Sequence, residues 1–192
     1  RQRQMCIRDR LSLGLGLVGY LMIHKNFELA KQTQLKNAIV QNNLVQSSVE
    51  YELLQLLNSV SDNSETSNNN TDNNNADNSN AEKSSISASS IAAQLPQIGS
   101  RVSSSVRSRD SFFYIYFDGE KVYTDDKSDA RISDTLFKNL TTGNKNYVIK
   151  EESQKHYIYV TSQSVIDEKN LWIVSKCDAS EAYTLLDEQL SL

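Results

Sequence analysis

The chain has 192 residues and a formal net charge of −4, with 38% hydrophobic and 23% charged residues. Its 20 Lys and Arg are scattered and outnumbered by 24 Asp and Glu, which argues against a nucleic-acid partner, because that footprint needs clustered cations. The two cysteines, Cys6 and Cys177, define neither a disulfide framework nor a metal-ligand spacing, so no cofactor or metal is expected.

The first ten residues, Arg1 to Arg10, break with the pattern that follows and resemble translated sequencing-adapter read-through, so they are set aside as an artefact. Residues 11–23, from Leu11 to Ile23, form a run without charge. At 1.5 Å per residue that run spans about 20 Å, against the roughly 30 Å of a bilayer core. It is read as a partial transmembrane helix whose upstream portion is missing. The alternative is a signal peptide starting at Met5 with Arg8 and Arg10 as its basic flank, but no small-x-small cleavage site follows Ile23. Gly14, Gly16 and Gly19 match the letters of a dinucleotide fingerprint. They lack its βαβ context and the acidic residue about 20 positions on, and glycine is common in membrane helices.

Residues 24–60 carry neither Pro nor Gly from Lys25 onward, and apolar residues recur at helical spacing. Leu35, Ala38, Val45, Val49, Leu53, Leu56 and Val60 form a seam with one polar step at Asn42. The seam suits either a partner helix or the chain's own sheet, with Leu54 and Leu57 widening the stripe in the second case. Residues 61–83 hold an Asn-rich tract without large apolar residues, which predicts a disordered insertion. A second helix is predicted from about Ser84 to Val106, with Ile86, Ile91, Leu95, Ile98 and Val102 on one face and Pro96 kinking or breaking it.

From Phe112 the period becomes two. Phe112–Phe117, Asp118-Gly119 and Glu120–Thr124 predict a hairpin. A short helix over Ile132–Leu140 is stopped by Gly143, and strands follow at about Asn146–Lys150, His156–Ser162 and Leu171–Lys176. Asp178 to Glu181 has capping-box spacing and opens an exit helix over 179–192. The fold class is α+β, with residues 84–178 forming one five-stranded antiparallel domain together with the 24–60 helix.

Strand parity sorts the aromatic residues. Phe113, Ile115, Phe117, Ile158 and Val160 share one face, and Tyr114, Tyr116, Tyr157 and Tyr159 share the other. Tyrosine offers an apolar ring and a polar tip, so the second face is the candidate ligand surface, with Arg131 placed to meet a ligand carboxylate. The plain alternative is that aromatic residues favour strands. His156, at a strand start, is a candidate pH sensor against the commoner inert surface histidine. No nucleophile–base constellation, paired-carboxylate motif or metal spacing is identifiable.

The segments "GLVGYLMIHKNFELA" and "NLWIVSKCDASEAYTLLDEQ", with this order of elements, resemble the extracytoplasmic sensor region of membrane-bound sensor histidine kinases of Clostridia-like bacteria. The resemblance implies a PAS-like or Cache-like domain between two transmembrane helices at the cell membrane. It further implies a homodimer through the 25–60 helix, a small-molecule ligand, and a response regulator reached through missing cytoplasmic domains. Neither His24 nor His156 sits in a phosphoacceptor motif, so this stretch is expected to be no enzyme. Other outputs, a chemoreceptor or a cyclase, fit the same sensor. A pilin-like or membrane-anchored structural protein is the competing class, although the apolar run lacks the pilin glutamate.

Overall fold

The computed structural model describes residues 2–65, 88–106, 108, 110–128 and 132–184. Helix α1 (Gln2–Glu65) is unbroken, as expected of a stretch with no proline. It runs on to Glu65, into the tract read as disordered; the rest of that tract lies outside the described residues. Helix α2 (Ala88–Val106) continues through Pro96 rather than ending there. The ring is exposed, on the side of the helix away from buried Ile91, Leu95, Ile98 and Val102.

Strands β1 (Ser111–Phe117), β2 (Glu120–Thr124), β3 (Tyr147–Glu152), β4 (Lys155–Ile166) and β5 (Lys169–Asp178) form one antiparallel sheet in the order β2-β1-β5-β4-β3. Asp118 and Gly119 both take positive φ, 52° and 85°, as the Asp-Gly turn predicts. The β3–β4 and β4–β5 turns reach the same left-handed region without glycine, at Ser153-Gln154 and Asp167-Glu168. They lie outside the usual turn signals, and β3, β4 and β5 accordingly run further than the sequence suggests.

Helix α3 (Asp134–Thr142) is capped by Ser133, whose hydroxyl accepts from the Leu136 amide at 3.3 Å. Gly143 ends it, but in an extended conformation (φ −74°) rather than the left-handed one usual for a terminal glycine. A Cβ there would collide with the Asn139 carbonyl oxygen, which accepts the Gly143 amide at 3.1 Å.

The sheet separates two cores. On one face Phe113, Ile115, Phe117, Leu171 and Ile173 pack against Val45, Val49 and Leu53 of α1 and against the buried face of α2. Burying a side chain the size of Val49 or Leu53 stabilises by about 1.5–3 kcal/mol relative to exposure. The helical seam is therefore docked on its own domain. Leu54 does not widen it: at 100° per residue it turns to the opposite side and is 58% exposed. Asn42, the polar step, is fully buried, and its Oδ1 accepts a hydrogen bond from the Ser175 hydroxyl at 2.9 Å. Gly99 of α2 lets the helix settle on the hairpin, since a Cβ would collide with the Tyr123 ring.

No helix among the described residues is long and apolar enough to cross a membrane. The transmembrane expectation for Leu11–Ile23 thus gains no support from the fold. The run stays short, and Arg8, Asp9 and Arg10 continue in the same helix.

Candidate functional site

Strand parity and α3 together build the second face. Tyr114 and Tyr116 from β1, Tyr159 from β4 and Val174 from β5 form a core with Ile132, Leu136 and Leu140. The amphipathic α3 needs an apolar seat, and the tyrosine rings provide it. Tyr116 stacks on Phe137 with ring centres 4.3 Å apart, and Phe137 meets Trp172 near-perpendicularly at 6.5 Å. Tyr114, Tyr116 and Tyr159 are 1%, 6% and 3% exposed, covered by α3. Tyr157 stands at the rim, half-buried, under the Lys176 ammonium at 4.3 Å. Three candidate tyrosines are thus brought together and the fourth flanks them. Arg131 lies outside the described residues.

The hydroxyl tips end in charge. Tyr114 donates to Asp126 Oδ2 at 2.8 Å, and Tyr159 donates to Glu152 Oε2 at 3.0 Å. Burial first, and then these carboxylate partners, push both phenols above the usual tyrosine range, so both keep their protons. Lys176 Nζ donates to Glu152 Oε2 at 3.1 Å, and Lys150 to Oε1 at 2.9 Å. Partial burial would raise the Glu152 carboxyl, but the bonds from Lys150, Lys176 and Tyr159 overcome it and hold the group below the usual range. Asp126 is likewise held down, against burial, by Ser128, by Tyr114 and by the charge of Lys176.

The result is a charge-balanced rim around a filled aromatic core. A ligand carboxylate that displaced Glu152 from Lys176 would meet an ammonium and the Tyr159 hydroxyl together. Lys176, Glu152 and Asp126 were not singled out in the sequence. The available signal was parity, since Lys176 follows Trp172 and Val174 on the same side of β5.

A second arrangement joins the two ends of the domain. Tyr183, in the helical turn at 180–184, stacks on His156 with ring centres 3.7 Å apart and 5° between planes. It also meets Phe27 of α1 edge-on at 5.4 Å. Asp178 Oδ1 accepts the Ser180 amide at 2.9 Å, which opens that turn. The reciprocal half of the capping box is absent here, because the Asp178 amide donates to the Asp110 carbonyl. Nearby, burial pushes the Cys177 thiol up to about 11, so it stays protonated and weakly nucleophilic.

Among the described residues, no group of three or more His, Cys, Asp or Glu is placed to hold a metal ion. Comparison with known proteins adds no relative: no family model, no curated protein and no solved structure matches the chain.

Proposed function

We propose that this chain is the signal-sensing region of a membrane-bound two-component sensor histidine kinase, with the sheet domain outside the cytoplasm and the kinase core in residues beyond this chain. The observation that supports it most is the continuity of α1. One helix carries exposed Leu15, Leu17, Val18, Leu21 and Met22 and then docks on the sheet through Ala38, Val45, Val49 and Leu53. A stimulus that shifts the sheet therefore shifts the segment bearing the apolar residues. The Phe27–Tyr183–His156 stack couples the chain's entry to its exit on the same domain.

A ligand would act at the rim of the tyrosine face, by competing for Lys176 and changing how α3 sits. Dimerisation would use the α1 face left open by docking. Val40, Leu44, Tyr51 and Leu54 are 50–61% exposed there and fall in an a/d rhythm.

A reporter fused after Ser105 tests the topology. Activity of an exported-only reporter is expected, and activity of a cytoplasm-only reporter at that position would overturn the reading. In the intact locus, a second apolar segment of about 20 residues followed by a kinase core is expected downstream.

A further inference from the structure

His156 stands near the start of β4, directly across from Glu151 on β3. Its backbone is tied to the exit turn at 180–184. The His156 amide donates to Ser180 Oγ at 3.0 Å, and its carbonyl accepts the Ala179 amide at 2.8 Å. Further along the turn, Tyr183 stacks on the imidazole and meets Phe27 of α1. The three rings therefore join β4, the exit turn and α1, outside the apolar core around Val49 and Ile115.

The His156–Tyr183 geometry is unusual for two neutral rings. Their centres are 3.7 Å apart with 5° between planes, so the rings overlap almost fully. Neutral aromatic pairs favour offset or edge-on arrangements with centres about 4.5–7 Å apart, because their electron-rich faces repel. The Phe27–Tyr183 contact, edge-on at 5.4 Å, follows that preference. An imidazolium reverses the sign: a cation within about 6 Å of a phenol ring centre, over its face, is attracted. Full overlap is thus the arrangement that suits a charged His156.

The neighbouring charges are arranged to match. Glu151 Oε2 lies 3.9 Å from His156 Nε2, a contact that becomes an ion pair only when the ring is charged. Lys155 is bonded to Asp178 Oδ2 of β5 at 3.1 Å, and Lys31 of α1 pairs with Glu28 at 3.6 Å. Glu181 of the exit turn and Asp110 ahead of β1 add further carboxylates. The imidazole is 27% exposed, so protons reach it from solvent. Partial burial would raise the Asp178 carboxyl, but the bonds from Ser180 and Lys155 hold it below the usual range. Burial pushes the Cys177 thiol up to about 11. Neither changes charge between about pH 6 and pH 8, whereas an imidazole does.

We propose that His156 is a proton-operated clasp. Charged, its ring grips Tyr183 and pairs with Glu151, which fastens the exit turn to α1 through Phe27. Neutral, it keeps its backbone bonds to Ala179 and Ser180 but releases the outer part of the turn. A fall from about pH 8 to pH 6 therefore ties the entry of the chain to its exit. The clasp goes beyond the sensor reading and does not require it, because it is measured on this chain alone and topology on the fusion.

Hydrogen exchange of the Ala182, Tyr183 and Thr184 amides in the full 192-residue chain measures the clasp, after correction for the intrinsic pH dependence of exchange. Protection about three- to fivefold higher at pH 6 than at pH 8 is expected, the factor of a cation–π contact at a partly exposed site. The amides of Ile115 and Val174 in the sheet should stay protected in every variant, which shows that each is folded. His156→Gln and Tyr183→Leu should both abolish the pH difference. His156→Arg supplies a permanent cation that also stacks on aromatic faces. It should hold the higher protection at both pH values, which a merely structural histidine would not predict. His24→Gln, three residues before Phe27, should leave the difference intact. Equal protection at the two pH values in the parent, or a difference that survives His156→Gln, overturns the proposal.

Discussion

On the α1–α2 side of the sheet, Phe113, Ile115 and Ile173 meet Val49, Leu95 and Ile98, and Asn42 with Ser175 is the polar pair within that packing. On the α3 side the buried rings are tyrosines whose hydroxyls reach carboxylates at the rim. The first side is held by shape and apolar area, which pH does not alter. The second ties packing to ionisation, so its contribution changes with solution conditions and with any ligand that competes for its charges.

The largest effect that separates the two sides is expected from Ile115→Ala. The side chain is fully buried, and its loss should cost about 2–5 kcal/mol in urea unfolding, equally at pH 7 and pH 4. A strong pH dependence of that loss would erase the contrast.

Next comes Tyr114→Phe, which removes the bond to Asp126. Because Asp126 is partly exposed, the loss at pH 7 should be about 1 kcal/mol, below the usual range for a bond to a charged group. Asp126 and Glu152 are both held below their ordinary ranges. Their contribution is therefore complete above those ranges and disappears as pH falls through the lowered values. The Tyr114→Phe difference should accordingly shrink as pH falls below the ordinary carboxylate range; a difference that grows on acidification would contradict the assigned bond.

The smallest net effect is expected from Asn42→Leu combined with Ser175→Ala, within about 1 kcal/mol of the parent, because both partners are replaced together. Asn42→Leu alone should be worse than the pair, and thermal melts of the three variants measure it.

Much of this contrast was legible beforehand. Alternation assigned Phe113, Ile115 and Phe117 to one side and Tyr114 and Tyr116 to the other, and Asp118-Gly119 announced its own turn. The α1 seam was legible in its spacing, but its partner was not, because the same stripe suits a sister helix or a sheet. Leu54 shows the limit: one residue beyond Leu53 rotates it out of the contact. The turns at Ser153-Gln154 and Asp167-Glu168 were hidden because L-residues there adopt a conformation that local preference disfavours, imposed by the strands on either side. The seating of α3 over the tyrosines, and hence the rim of Lys176, Glu152 and Asp126, depends on contacts between segments far apart in sequence.

The unbroken course of α1 has a mechanical consequence. Between Gln2 and Phe27, which meets Tyr183, the helix extends roughly 40 Å at 1.5 Å per residue. A tilt of about 5° about Phe27 would sweep the far tip through roughly 3 Å. The helix is thus a lever whose packed arm, from Phe27 to Leu53, is about as long as its projecting one, so a displacement of the docked end is returned at roughly equal size at the far tip.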